Sequence, residues 1–181
     1  SCYMEQIRNI AKLKDCGEGV MVINTESGSY NKLQRSDIDD AFDQTTQNPQ
    51  VGTFEKMASG GYLGALCDFT LRTASAEGVF AKQFAPDTVL NTIDVNDFLT
   101  DGSGILADWF SGEDAAAARQ ILENIILRAG RLLALQMAAM AIKSAKKNNR
   151  VCMTIEGTTY EKMYGLKKEA LTTLLPYLRS M

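Results

Sequence analysis

The chain contains no histidine. A Ser-His-Asp triad, a Cys-His pair and a His-ligated zinc are therefore all excluded within these residues. The four cysteines, Cys2, Cys16, Cys67 and Cys152, are scattered and form no C-x-x-C pair. They read as buried free thiols of a reducing compartment, and so as a cytoplasmic protein. A Gly-x-x-x-x-Gly-Lys-Ser/Thr phosphate loop is absent. What is left for chemistry is a set of carboxylates, hydroxyls and glycines on loops. Thr25–Tyr30 is a polar, small-residue loop that leaves an apolar run, a common place for binding groups in α/β folds. Asp101-Gly102-Ser103-Gly104 has glycines that would suit a phosphate nest but reads as an ordinary turn. Lys143, Lys146, Lys147 and Arg150 gather at the expected end of the longest helix, where cations suit the helix dipole without any ligand. A net charge of -3 argues against a nucleic-acid binder.

The elements that must hold these groups follow from periodicity. Of 181 residues, 45% are hydrophobic and 23% charged, enough apolar surface for a core without disulfide or metal. Tyr3–Lys14 reads as a short helix or an extended lead-in. Gly19–Asn24 reads as a buried strand. Ser36 is placed to cap a short helix carrying Ile38, Ala41 and Phe42, and Asn48-Pro49 turns. Thr53 is placed to cap a helix running to Ala76, with Gly60-Gly61 inside it. Two mid-helix glycines cost about 1 kcal/mol each relative to Ala, which calls for close approach by another element. Residues 78–112 are less regular, with a short helix over Asp94–Leu99 and Trp109-Phe110 closing over the core. The longest helix starts at Ser111 or Gly112 and runs to about Lys147. Glu123, Arg128, Arg131 and Gln136 interrupt its apolar stretch, so it reads as a buried core helix rather than a membrane span. Val151–Ile155 reads as a second strand, turned by Glu156–Thr159, with Tyr160 extended. A last helix follows Gly165 and stops or kinks near Pro176. No repeat, no interdomain linker and no signal peptide before Ser1 is visible. The expected architecture is one α-rich α/β unit over residues 1–181.

Four segments carry a resemblance. Cys2-Tyr3-Met4-Glu5-Gln6-Ile7-Arg8 is similar to the CYMEEMR stretch of eukaryotic-type hexokinases and glucokinases. Val22–Gly28 resembles their VN-T/M-EWG segment. Phe54-Glu55-Lys56-Met57-Ala58-Ser59-Gly60-Gly61-Tyr62-Leu63-Gly64 is very similar to their FEKMISGMYLGE signature. Val151–Lys162, VCMTIEGTTYEK, resembles their second phosphate segment, VGVDGTLYK. The matches occur in family order along nearly the whole chain.

This resemblance implies an actin-like ATPase (ribonuclease H-like) fold in which two lobes close on a hexose and Mg-ATP. It also implies that the chain is a fragment, most of the large lobe. The family's catalytic Asp is expected upstream and its adenosine-contacting segment downstream, so no residue here is the general base. The resemblance carries Glu26 and Glu55 over as acceptors of sugar hydroxyl hydrogen bonds. Asn24 orients that loop, and Gly157 and Thr158 contact phosphate. Ionised carboxylates only accept hydrogen bonds, which suits diol recognition without proton transfer. The implied reaction is in-line transfer of the ATP γ-phosphoryl group to the 6-hydroxyl of a hexose, glucose foremost, with Mg²⁺ as cofactor and the remaining segments of the polypeptide as partners. By itself the fragment is expected to be inactive, and it is expected to bind neither nucleic acid nor membrane. The chain departs from the family pattern where Ser27 replaces a Trp, Glu156 replaces an Asp, Cys152-Met153 stands where Gly is common, and Gly52 stands where many relatives have Gln. The departures at Ser27 and Glu156 leave a second reading open, a hexose-binding sensor that has lost phosphoryl transfer.

Overall fold

The computed structural model describes residues 1–144 and 151–179. Its sheet is a two-stranded antiparallel ribbon, β1 (Cys2–Gln6) and β2 (Val20–Asn24), in which Tyr3 stands opposite Ile23 and Met4 opposite Val22. Alternation along each strand sends Tyr3 and Ile23 to a half-buried face, while Met4 and Val22 point outward at 67% and 62% exposure. Gly19–Asn24 is therefore a strand, as its run of Val and Ile implies, but not a buried one. A continuous apolar run does not reveal how many neighbours a strand has. The Tyr3–Lys14 lead-in resolves into β1 followed by a single 3₁₀ turn, Ile7–Asn9, whose Ile7 N–H donates to Gly19 O at 3.0 Å.

Helices form the rest: α1 (Asp37–Thr45), α2 (Thr53–Ala58), α3 (Gly60–Ala76), α4 (Thr92–Asp101), α5 (Ile105–Trp109), α6 (Gly112–Ser144), α7 (Thr158–Lys162) and α8 (Leu166–Arg179). α1 and α4 start with reciprocal capping boxes, Ser36 with Asp39 and Asn91 with Asp94. α4 ends at Gly102, whose φ of 73° is the left-handed conformation that glycine adopts without penalty. α6 is long and apolar enough to cross a membrane by length and composition. Here it is the central post, contacting α2, α3, α4, α8 and β1. Leu122, Ile126, Ala129 and Ala134 along it are fully buried. Leu63, Leu66 and Leu71 of α3, Val95 and Leu99 of α4, Leu106 of α5 and Leu166 of α8 close the main core around it. Phe110 stacks on Phe84 with centroids 5.0 Å apart, and Trp109 meets Phe84 edge-on, so this pair does close over the core.

Two glycines set helix spacing. A Cβ at Gly64 would lie 2.4 Å from the backbone carbon of Asn91, and one at Gly130 would lie 2.9 Å from the carbonyl oxygen of Leu166. α3 thus presses on the start of α4, and α6 on the start of α8, at distances only glycine permits.

Several expectations are corrected. The helix expected from Thr53 to Ala76 is broken at Ser59, whose extended backbone (φ -87°, ψ 148°) ends α2 and begins α3. Gly60 and Gly61 consequently sit in the first turn of α3, where helix propensity is a weaker constraint. Thr53 does not cap α2. Gly52 (φ 65°) occupies that position, and the Thr53 hydroxyl donates instead to Tyr30 O at 2.9 Å. Val151–Ile155 is not a strand, because no strand lies beside it among the described residues to complete a ladder. Instead Met153 packs on α6 and α8, and Ile155 on the main core. Tyr160 is buried in α7 rather than extended. The helix Ile105–Trp109 was not expected, and α8 continues through Pro176. Of the cysteines only Cys67 is buried, where desolvation pushes its thiol pKa up. Cys2, Cys16 and Cys152 are free but exposed. Lys146, Lys147 and Arg150, and the final residues of the expected long helix, lie outside the described residues.

Candidate functional site

β2 ends at Asn24, and the chain then turns sharply. Glu26 is held at φ 45°, ψ 42°, a left-handed conformation rare for a residue with a Cβ. The Asn24 side chain brackets it: Nδ2–H donates to Glu26 Oε1 at 2.6 Å, and Oδ1 accepts from the Glu26 N–H at 3.2 Å. Ser27–Ser29 follows as a 3₁₀ turn. The Ser27 hydroxyl bonds to Ser1 Oγ at 2.8 Å and accepts from Gln136 Nε2 of α6.

α2 packs directly on this turn. A Cβ placed on Gly28 would stand 3.4 Å from both Cβ and Oε2 of Glu55, and one on Gly52 would stand 3.6 Å from Glu55 Oε2. The Glu55 carboxylate therefore lies over two glycines, one of them two residues beyond Glu26. Both carboxylates are exposed and come from elements distant in sequence, Glu55 lying over a glycine two residues from Glu26. The Thr53 hydrogen bond to Tyr30 O ties the helix to the loop beyond Glu26. A cavity of about 730 Å³ opens between Glu26, Ser27 and Tyr30, Phe54 of α2, and Leu135 and Met140 of α6. Glu55 is not among its lining residues.

Gly157 and Thr158 stand elsewhere. Gly157, at φ 149°, precedes the first turn of α7, and no side chain caps that turn. Both residues are exposed. Their neighbour Thr159 lies against Gly60, where an added Cβ would stand 1.9 Å from Thr159 Oγ1. The 157–159 segment thus abuts the start of α3, which follows the C-terminal end of α2.

Behind these surfaces lies a buried charged framework that sequence reading did not single out. Arg128 of α6 donates from both terminal nitrogens to the two oxygens of Asp39, each at 2.7 Å. Burial raises the Asp39 carboxyl pKa. The Arg128 and Ser36 hydrogen bonds outweigh that and hold it below the ordinary value of 3.8. Lys56, 4% exposed, pairs with Asp43 at 2.5 Å and also donates to Asn48 O at 2.7 Å. Asp43 is lowered in the same way, its burial outweighed by the Lys56 and Gln50 hydrogen bonds. The partners Asp39 and Arg128 are 89 positions apart, beyond any local pattern. Among the described residues no group of three or more Cys, Asp or Glu side chains is arranged to hold a metal ion.

The fold has counterparts among solved structures. The fold matches a structure described as hexokinase from Schistosoma mansoni complexed with glucose, with a TM-score of 0.81 at 20% identity, over 97% of this chain and 44% of that one. The chain is an α-rich α/β unit of the actin-like ATPase fold. The hexokinase family model matches residues 1–179, and the chain belongs to the hexokinase family. It is 32% identical to Hexokinase-2 of Rattus norvegicus over 90% of this chain and 20% of that protein. It is 29% identical to Hexokinase-like 1 protein of Arabidopsis thaliana over 90% of this chain and 38% of that protein. The chain therefore spans well under half the length of these relatives.

Proposed function

We propose that the full-length protein containing this chain is a cytoplasmic hexokinase that transfers the γ-phosphoryl group of ATP to the 6-hydroxyl of a hexose, glucose foremost. Residues 1–181 form one unit, most of the large lobe. The observation that carries this reading is that exposed Glu55 of α2 lies over Gly52 and over Gly28, two residues beyond the exposed Glu26. Two carboxylates there accept hydrogen bonds from neighbouring sugar hydroxyls, and each charged hydrogen bond contributes about 1.5–3 kcal/mol. Asn24 holds Glu26 in its left-handed conformation, so the acceptor is oriented before the sugar arrives.

Gly157 and Thr158 fit a phosphate. The glycine has the backbone conformation that opens the turn, the first turn of α7 is uncapped by any side chain, and Thr158 presents an exposed hydroxyl. When bound, Mg-ATP supplies the phosphoryl group and the metal neutralises phosphate charge. This chain's residues position the sugar and one face of the phosphates. The base that takes the hydroxyl proton, an Asp by family resemblance, is expected outside residues 1–181, as is the adenosine segment.

Calorimetry on full-length protein tests the assignment. Glu26→Gln and Glu55→Gln each weaken hexose binding by about tenfold or more while a nucleotide analogue binds as before. Unchanged hexose affinity in both variants sinks the reading. Ser27 in place of the family's Trp supports a second reading, a hexose sensor without turnover. Formation of hexose phosphate by the full-length protein excludes it.

A further inference from the structure

Glu55 is exposed, yet the next residue, Lys56, is among the most buried charges of the molecule. Its ammonium reaches back across α2 to α1, pairing with Asp43 Oδ1 at 2.5 Å and donating to the carbonyl of Asn48 at 2.7 Å. The other Asp43 oxygen accepts the backbone N–H of Gln50 at 2.7 Å. The Asp43 carbonyl takes both the N–H and the hydroxyl of Thr46, at 3.1 and 2.7 Å. The Arg35 guanidinium stands 3.8 Å from Asp43, and Asp39 lines the same small cavity as the pair. The 46–52 segment is therefore pinned at three points: Asn48 by the Lys56 side chain, Gln50 by the Asp43 side chain, and Thr46 by the Asp43 backbone carbonyl. The pinned path is an unfavourable one: Gln50 sits at φ 65° with a side chain, and Gly52 at φ 65° starts α2. Glu55 then rests on Gly52.

Two well-packed apolar side chains in place of a buried ion pair can be equally stable. They could not accept the Gln50 N–H or donate to the Asn48 carbonyl. The pair therefore specifies where this loop runs, and its contribution is not measured by stability alone. We propose that Asp43 and Lys56 are positioning residues for hexose recognition: they clamp the 46–52 loop and the start of α2 so that Glu55 is presented beside the Glu26 turn. This role rests on the hexose reading of Glu55. Misplacing a recognition group by about 1 Å can cost up to about a hundredfold, so a clamp on the loop is expected to show in sugar affinity.

The test compares Lys56→Met, Asp43→Asn/Lys56→Met and Glu55→Gln in the full-length protein. Each is followed by hexose affinity, nucleotide-analogue affinity and thermal unfolding. Lys56→Met is expected to weaken hexose binding about tenfold with nucleotide affinity unchanged. It takes from buried Asp43 its 2.5 Å partner and leaves it facing the Arg35 guanidinium at 3.8 Å. If it fails to fold, the double variant makes the comparison, because it strands no charge and keeps an acceptor for the Gln50 N–H. Its expected loss is smaller, about threefold to fivefold. Hexose affinity equal to the parent's in the folded clamp variants, while Glu55→Gln is weakened, overturns the clamp role alone. Equal losses for hexose and nucleotide overturn it too, since they report general destabilisation. A Glu55→Gln variant that binds hexose normally overturns the hexose reading itself, and this role with it.

Discussion

Arg128 and Asp39 show how single residues carry this molecule. The pair is bidentate, and the carboxylate is 3% exposed. Replacing Arg128 by Met strands that charge, at a cost of about 3 kcal/mol, the low end for a buried pair because Arg128 itself is 31% exposed. The pKa of Asp39 is lowered on folding, so its stabilising contribution is complete above the ordinary carboxylate value of 3.8 and is lost as pH falls through the lowered one. Urea unfolding at neutral and acid pH is expected to show the gap between parent and Arg128→Met narrowing only in the acid range. A gap that stays constant into acid would contradict this. Gly60 and Gly61 divide at the same scale. A Cβ at Gly60 meets Thr159 Oγ1 at 1.9 Å and Thr159 Cβ at 3.0 Å, so rotating the hydroxyl away leaves a tight contact. Gly60→Ala is expected to destabilise by about 1–3 kcal/mol. Gly61 is exposed with only Ser59 Oγ nearby, at 3.9 Å, so Gly61→Ala is expected to stabilise by about 0.5–1 kcal/mol. The signs differ, and urea midpoints read them directly.

Elements meet at fixed separations because glycines leave the space. At Gly64 the obstacle is the Asn91–Thr92 backbone, the start of a helix whose capping box and buried Val95 hold it in place. Backbone cannot turn away as a side chain can. Gly64→Ala is therefore expected to cost more than Gly60→Ala, about 3 kcal/mol or more, and to disturb the α3–α4 contact. At Gly130 the added methyl meets Leu166 O at 2.9 Å and the Glu169 side chain at 3.1 Å. Chemical denaturation of Gly64→Ala, Gly130→Ala and Gly60→Ala ranks them; Gly64→Ala as the mildest would refute the backbone argument. The start of α1 was legible in the chain: Ser36 caps it as its spacing to Asp39 allows, since the N-cap interaction is local. The break at Ser59 was not, because FEKMASGGYLG has no proline and its apolar spacing suits one continuous helix. α2 turns there to lay Glu55 on the Glu26 loop while α3 enters the core.

As a whole molecule, the chain covers 20% of Hexokinase-2 of Rattus norvegicus and 44% of the Schistosoma mansoni hexokinase chain. Met4, Val20 and Val22 on the outer face of the ribbon remain 55–67% exposed. Purified residues 1–181, supplied with glucose and Mg-ATP in a coupled assay, are expected to give no turnover above the no-enzyme control. The proposed sugar carboxylates are present, but the expected base and adenosine segments are not among these residues. Turnover in a preparation free of host kinase would refute this and require a base within the chain.

The sequence by itself determined what is local or periodic. It excluded histidine chemistry and a P-loop. It set the positions of α1, α6 and α8, and through the FEKM and CYME segments it set the family. Those properties depend on residue type and on spacing within one or a few helical turns. Only the tertiary structure decided that β2 is mostly exposed, that Val151–Ile155 has no strand partner among the described residues, and that the glycines important for packing include Gly64 and Gly130. Only the tertiary structure brought Asp39 to Arg128 across 89 positions and aimed Lys56 away from its neighbour Glu55. Burial, strand pairing and ion pairing depend on which distant segments share a space, and no pattern within one segment records its neighbours.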